Sequence, residues 1–83
     1  MKEYTALFRS AKEIGDFVSI ANRQPFPILI LEGDNVFDAK SILGLFDVHL
    51  HTPLTIRIDD TYADPQPFIT AIQPYIDAAR HVG

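Results

Sequence analysis

Residues 28–39, ILILEGDNVFDA, predict a β-hairpin. The apolar run Ile28–Leu31 is typical of a strand, and a Gly-Asp-Asn segment rich in turn-forming residues follows it. A short second run containing Val36 and Phe37 then resumes. The first run is apolar at every position, so it offers apolar side chains to both faces of any sheet that it joins.

The segment before the hairpin predicts a strand and then a helix. Residues 4–8 are apolar enough for a strand and lead into Ser10, which has the spacing of a capping box with Glu13. In such a box the hydroxyl accepts the N–H of the third helical residue, and the carboxylate accepts the N–H of the cap itself. Apolar residues then recur at helical spacing, and Pro25 ends the helix because proline disfavours helical geometry in the residue before it. The recurring residues are Ile14, Phe17, Val18 and Ala21.

The segment after the hairpin predicts a short helix, a strand and a last helix. Residues 38–41 offer caps for a helix of about two turns in residues 42–48, ILGLFDV, and residues 54–59, LTIRID, alternate as in a half-buried strand. Asp64 and Pro65 predict the start of the last helix, with Pro65 at the first position. Pro74 predicts a kink because it cannot donate to the carbonyl of Thr70. The inward stripe of this helix is Phe68, Ile69, Ile72, Tyr75, Ile76 and Ala79.

The element order is therefore β-α-β-β-α-β-α. Such an order favours two layers, a four-stranded sheet with helices on one face, in the α+β class. A chain of 83 residues has material for one core, so residues 1–83 are expected to form a single domain.

This order, together with LEGDNVFDAKSILGLFDVHL in residues 31–50, resembles the bacterial phosphocarrier HPr. HPr has a turn, a serine and a short helix that read like Asn-Gly-Lys-x-Val-Asn-x-Lys-Ser-Ile-Met-Gly-Val-Met. The resemblance implies an HPr-like open-faced β-sandwich, with a four-stranded antiparallel sheet and three helices on one face. The matching residues here are Gly33, Val36, Lys40, Ser41, Ile42 and Gly44.

The resemblance also identifies the start of the first helix as a degenerate active site. In HPr a phosphate-accepting histidine caps this helix within a His-Ala-Arg-Pro signature. Here the signature reads Ser10-Ala11-Lys12-Glu13, so the cap is kept and the histidine is absent. An unactivated serine hydroxyl is a poor nucleophile, whereas imidazole is nucleophilic near neutral pH. We therefore expect no enzymatic activity and no histidine phosphocarrier function, but a protein-interaction or regulatory role.

Ser41 supports an alternative. The corresponding serine of many HPr proteins is phosphorylated by a dedicated kinase, so the resemblance implies a regulatory paralogue that is modified at Ser41. A phosphate at a helix N-terminus is favoured by the helix dipole and the free N–H groups. Equally, Ser41 or Asp38 caps the short helix.

Four apolar residues are candidates for binding a protein partner. Leu43 and Phe46 lie where HPr presents apolar residues to its partner enzymes, although one of them is equally suited to the core. Leu29 and Leu31 are predicted to lie on the helix-free face of the sheet, with Ile28 and Ile30 facing the helices. Because a bare antiparallel face is normally polar, we expect another protein or a second copy, in a homodimer, to cover it.

Charge and composition argue against several functional classes. The net charge is −4 and the basic residues are scattered, which argues against nucleic-acid binding. No apolar run is long enough for a signal peptide or a membrane span, and cysteine is absent, so a cytoplasmic location is expected.

Metal and cofactor sites are not expected. His49 and His51 have a spacing found in metal sites, which leaves a small metal or ligand carrier as a third alternative, but Asp47 is the only carboxylate close to them in sequence. Three aspartates, Asp59, Asp60 and Asp64, lack the glycine and glutamate of a calcium loop and are predicted to be turn and cap residues.

Overall fold

The computed structural model describes residues 1–41 and 48–80. Within these residues four strands form one sheet in the order β1-β4-β2-β3, and all neighbouring strands are antiparallel. The α+β class and the four-stranded antiparallel sheet predicted from the sequence are confirmed. The predicted short helix falls mainly on residues 42–47, outside the described residues. The elements are β1 (Lys2–Ala6), α1 (Ala11–Asn22), β2 (Ile28–Glu32), β3 (Asn35–Asp38), β4 (Leu54–Ile58), α2 (Gln66–Ala71) and α3 (Gln73–Arg80).

The register of β2 agrees with the prediction. Ile28 and Ile30 are 1% and 0% exposed and contribute to the core, whereas Leu29 and Leu31 alternate with them and are only partly buried. Gly33 makes the turn to β3 at φ 58°, a left-handed conformation in which a side chain would be strained. Along β2 the side chains therefore alternate, with Ile28 and Ile30 in the core and Leu29 and Leu31 on the opposite face of the sheet.

One apolar core lies between the sheet and the helices. Its strand residues come mainly from the faces of β2 and β4 that carry isoleucine and leucine. Its helical residues come from the predicted stripe of α1 and from the buried sides of α2 and α3. An aromatic cluster joins α1 to the C-terminal helices, with Phe17 5.1 Å from Phe8 and 5.9 Å from Phe68 between ring centroids. The helices accordingly cover one face of the sheet.

The first strand differs from its predicted bounds. It spans Lys2–Ala6 rather than residues 4–8, and the N–H of Leu7 donates to the carbonyl of Tyr75 in α3 at 3.0 Å. The apolar residues Leu7 and Phe8 are buried in the connection to α1, at 4% and 0% exposure, and do not extend the strand.

The last helical segment is two helices rather than one kinked helix. Ile72 interrupts it with φ −97° and ψ 7°, and Pro74 takes the second position of α3. There the missing N–H costs no helical hydrogen bond, whereas a continuous helix would need it to reach Thr70. The break changes the helical phase, so Ala78 is buried and Ala79 only partly buried.

The start of this segment is also displaced by one residue. Pro65 is the N-cap of α2 rather than its first helical residue, and it makes no side-chain capping bond. Asp64 still has a turn role, because its Oδ1 accepts the N–H of Gln66 at 3.0 Å.

Candidate functional site

The N-terminus of α1 carries Ser10, the predicted N-cap. Ser10 has extended backbone angles, φ −157° and ψ 162°, and its Oγ accepts the N–H of Glu13 at 3.2 Å. These are the geometry and the bond of an N-cap, as predicted.

The reciprocal half of the capping box differs from its expected form. The Oε1 atom of Glu13 accepts the N–H of Arg9 at 2.8 Å, one residue before the cap, rather than the N–H of Ser10. The carboxylate still neutralises a backbone donor at the positive end of the helix. It therefore adds a negative charge close to the start of α1.

Lys12 is turned along α1 rather than left without a partner. Its Nζ lies 2.8 Å from Oδ2 of Asp16 in an exposed i,i+4 ion pair. The hydrogen bond and the negative charge of Asp16 raise the pKa of Lys12 above its ordinary value. The cation of Lys12 is therefore balanced by a carboxylate one turn away along α1.

A histidine loop contacts the connection into this helix. The N–H of His51 donates to the carbonyl of Phe8 at 2.7 Å, and His51 adopts a left-handed φ of 61°. Among the described residues it is the only residue other than glycine with a positive φ. Histidine is one of the residues that tolerate this conformation, but nothing in its sequence spacing indicated a contact with Phe8.

His49 has a carboxylate partner that the sequence analysis missed. Glu32, at the end of β2, places Oε1 3.2 Å from Nδ1 of His49 and accepts the His49 N–H on Oε2 at 2.8 Å. The sequence spacing indicated only Asp47, which is close in sequence and lies outside the described residues. Glu32 is distant in sequence and comes close to His49 because the end of β2 pairs with the start of β4. Within residues 1–41 and 48–80, no group of three or more histidine or acidic residues is arranged to hold a metal ion.

The three aspartates near β4 have separate local partners. Oδ1 of Asp59 accepts from the N–H and the hydroxyl of Thr61, at 3.1 and 2.6 Å, and Oδ1 of Asp60 lies 3.0 Å from the N-terminal amine. Asp64 binds Gln66 as described above. Asp59 and Asp64 therefore have the predicted turn role, whereas Asp60 forms an ion pair with the chain's N-terminal amine instead.

Ser41 is exposed and follows a turn that its neighbours hold. Oδ1 of Asp38 accepts the N–H of Lys40 at 2.9 Å, and the N–H of Ser41 donates to the Asp38 carbonyl at 3.0 Å. Lys40 in turn donates to the carbonyl of Gln24 at 2.8 Å. The segment leading to Ser41 is thus tied to the end of α1. Leu43 and Phe46 lie outside the described residues.

The helix-free side of the sheet, which we call the open face, consists of two cross-strand rows. The strand registers place these rows directly across the four strands. Val36 is 63% exposed, whereas Leu29 and Leu31 are partly shielded by their neighbours. The apolar residues occupy the β2–β3 side, and the ion pair of Arg57 with Glu3, at 2.7 Å, lies on the β1–β4 side. The rows are Glu3, Arg57, Leu29 and Asp38, and then Thr5, Thr55, Leu31 and Val36.

No helix in the described part of the chain is long and apolar enough to cross a bilayer.

Comparison with known proteins gives no match by sequence but clear matches by structure. No protein-family model matches the chain, and no curated protein matches it significantly in sequence. Solved structures do match. HPr-C-His from Thermoanaerobacter tengcongensis superposes with a TM-score of 0.74 at 22% identity, over 95% of this chain and 94% of that one.

A histidine-containing phosphocarrier protein from Mycoplasma superposes with a TM-score of 0.62 at 15% identity, over 98% of this chain and 90% of that one. Both matches extend over nearly the whole chain. The chain therefore has the fold of the HPr phosphocarrier proteins.

Proposed function

We propose that this chain is a divergent HPr-like protein that acts as a non-catalytic protein-interaction module and does not relay phosphate through a histidine. The observation that carries the proposal is the N-cap of α1. Where HPr has its phosphate acceptor, this chain has Ser10, and its hydroxyl accepts a backbone N–H of its own helix. A cytoplasmic location belongs to the same proposal, in keeping with the absence of cysteine.

The groups around Ser10 support a structural rather than a nucleophilic role. A serine nucleophile needs an adjacent general base that takes its proton. Glu13 is bonded to the N–H of Arg9, and Lys12 is paired with Asp16. Glu13 and Lys12 are thus engaged locally, and Glu13 adds a negative charge that repels a phosphoryl donor.

The open face supports the interaction role. A polar surface would be sufficient on a sheet face that meets only water. Leu29, Leu31 and Val36 instead form a contiguous apolar area on one half of it, and a salt bridge borders that area. Apolar patches rimmed by polar residues are typical of protein-binding surfaces. Leu29 and Leu31 are therefore our candidates for contact with a protein partner, which includes a second copy.

The test is incubation with phosphoenolpyruvate and the general enzyme of the phosphotransferase system, followed by intact mass measurement. We expect no change in mass, because no imidazole stands at position 10. A histidine-containing HPr in the same tube is the positive control, and it must gain one phosphate. An acid-labile phosphate on His49, His51 or His81 would overturn the proposal.

A restored variant sharpens this test. We expect that Ser10→His together with Lys12→Arg does not recover transfer, because Glu13 still binds the Arg9 amide beside the new histidine. Adding Glu13→Pro should then increase any transfer, since it removes that carboxylate. Full transfer by the double variant alone would show that Glu13 does not oppose phosphate at this helix end.

A second candidate function is phosphoregulation at Ser41. The observation that favours it is the exposure of Ser41 immediately after a turn anchored by Asp38 and Lys40. Incubation with ATP and an HPr-type serine kinase, followed by peptide mapping, tests it. Modification at Ser41 that Ser41→Ala abolishes would support the regulatory role, and an unmodified chain beside a phosphorylated HPr control would reject it.

A further inference from the structure

A small pocket lies at the end of the sheet opposite the degenerate active site. It has a volume of about 160 Å³ and opens where β2 begins and β4 ends. The N–H of Asp59 donates to the carbonyl of Pro27 at 3.1 Å, which fixes the two sides of the pocket to each other. The lining residues are Pro25, Phe26, Pro27, Asp59, Tyr62 and Ala63.

Most of the wall is apolar and part of it is preformed. Phe26 is 4% exposed and packs against Phe68, with ring centroids 6.0 Å apart, so its position is set by the core. Tyr62 is 97% exposed, which makes it the one aromatic among the exposed large apolar residues of the described chain. Its ring buries almost no surface against the rest of the free protein, so the ring is available to contact a ligand.

The one charged group in the pocket is Asp59. Its Oδ1 accepts two hydrogen bonds from Thr61, which hold the carboxylate in place. Its Oδ2 takes part in no hydrogen bond or ion pair with any residue in ranges 1–41 and 48–80. These bonds also keep the pKa of Asp59 below its ordinary value, so the carboxylate is ionised at neutral pH.

The combination of walls and charge defines the ligand. Drug-sized ligands occupy pockets of roughly 300 Å³ or more, so this pocket accommodates a single side chain. Apolar walls suit a methylene stem, and a carboxylate oxygen beside an exposed aromatic ring suits a cationic head. We propose that the pocket receives one long cationic side chain, a lysine or an arginine, from a partner protein.

The surrounding charges favour the same ligand. The chain has a net charge of −4, and Asp60, next to Asp59, is a second carboxylate at this end of the sheet. The N-terminal amine pairs with Asp60 at 3.0 Å, so that local cation is already engaged. The pKa of Asp60 is lowered first by this amine and also by Lys2, which lies at the same end of the sheet, so the Asp59 carboxylate is the one that no ion pair among the described residues neutralises. An anion would be repelled by that carboxylate, and a metal ion would find one carboxylate in the pocket where it needs several ligands.

This inference concerns a different surface from the open face and stands independently of the interaction proposed there. Its test is a titration of the ¹⁵N-labelled full chain with N-acetyl-lysinamide and N-acetyl-argininamide, followed by amide chemical shifts. N-acetyl-norleucinamide, which keeps the methylene stem and lacks the charge, is the matched ligand control.

We expect both cationic probes to shift the Asp59, Tyr62 and Ala63 amides in a saturable way. The norleucine probe should bind roughly tenfold more weakly, which corresponds to about 1.4 kcal/mol. Tyr62→Ala should weaken the cationic probes without a change in unfolding midpoint, because the ring is almost wholly exposed. Val36→Ala, an exposed apolar residue on the open face, should leave binding unchanged.

Three outcomes of the titration with the unaltered chain would overturn the proposal. The first is no saturable shift at these amides, and the second is equal binding of the norleucine probe. The third is a set of shifts spread over other exposed carboxylates such as Asp16 and Asp77, which would indicate nonspecific attraction. A second variant, Asp59→Asn, keeps an oxygen for Thr61 but removes the charge, and undiminished cation binding by that variant would also reject the site.

Discussion

At the scale of single residues, Ser10 is expected to act on stability alone. Ser10→Ala removes the side-chain acceptor for the Glu13 N–H, and loss of an N-cap costs about 1 kcal/mol of the free energy of unfolding. Urea denaturation should show a lower midpoint with an unchanged slope. Ser19→Ala, an exposed site inside the same helix, is the control and should be neutral or slightly stabilising. An unchanged midpoint for Ser10→Ala would contradict the capping role.

Asp59 should make stability depend on acid pH through Thr61. Its pKa is lowered from 3.8, first by the Thr61 hydroxyl and then by the Thr61 N–H, so its contribution to stability is complete above about pH 3.8. That contribution is lost as the pH falls through the lower pKa of the folded state. Thr61→Val removes only the hydroxyl, so the pKa should rise part of the way back and the acid dependence should become shallower.

An NMR titration of the Asp59 carboxyl carbon measures this shift. Thr52→Val is the control, because the Thr52 hydroxyl donates to the carbonyl of Leu50 and not to a carboxylate. An Asp59 pKa that does not move in Thr61→Val would show that the hydroxyl is not its main partner.

At the scale of elements, replacing two glycines by alanine should change the stability of the fold in opposite directions. Gly33 turns β2 into β3 at φ 58°, where a side chain costs roughly 1 to 2 kcal/mol. Gly15 lies inside α1, and an added Cβ there meets no atom within 4 Å. Gly33→Ala should therefore lower the unfolding midpoint, and Gly15→Ala should raise it by up to about 1 kcal/mol. Equal effects would contradict the assigned turn.

The first helix and the strand before it show which features local sequence patterns predict and which they do not. The capping residue and the apolar stripe of α1 could be predicted from the sequence because both depend on neighbours within one or two helical turns. The bounds of β1 could not be predicted in this way, because Leu7 and Phe8 resemble strand residues in sequence but are buried in the connection to α1, where Leu7 bonds to α3. Burial alone makes a short apolar segment resemble a strand.

At the scale of the whole molecule, the open face predicts weak self-association. Four strands about 4.8 Å apart and five residues of about 3.4 Å give a face of roughly 300 Å². Stable complexes bury about 800 Å² per partner, so a dimer through this face alone should be weak and concentration-dependent. Because Leu29 and Leu31 dominate its apolar half, replacing both by threonine should shift sedimentation toward the monomer while the strand is kept.

Leu50→Thr is the matched control, since Leu50 is 37% exposed and lies in the loop before β4, off the sheet. It should leave sedimentation unchanged. A wild-type protein that stays monomeric at all concentrations, with a double variant that is merely less stable, would show that the two leucines serve the fold and that no second copy covers the face.

The sequence by itself determined the four strands, the first helix, the two-layer class and the register of β2. These follow from periodicity, caps and turn residues, which act between residues near each other in the chain. It also supplied the serine at position 10, on which the proposed absence of phosphate relay rests.

Only the tertiary structure decided which distant groups meet. Glu32 reaches His49 because the hairpin ends beside the loop before β4, and His51 reaches the Phe8 carbonyl because that loop crosses the start of α1. The pocket of Phe26, Asp59 and Tyr62 likewise forms where β2 begins and β4 ends. Such contacts depend on strand order and chain crossings rather than on local spacing, so no pattern within a segment predicts them.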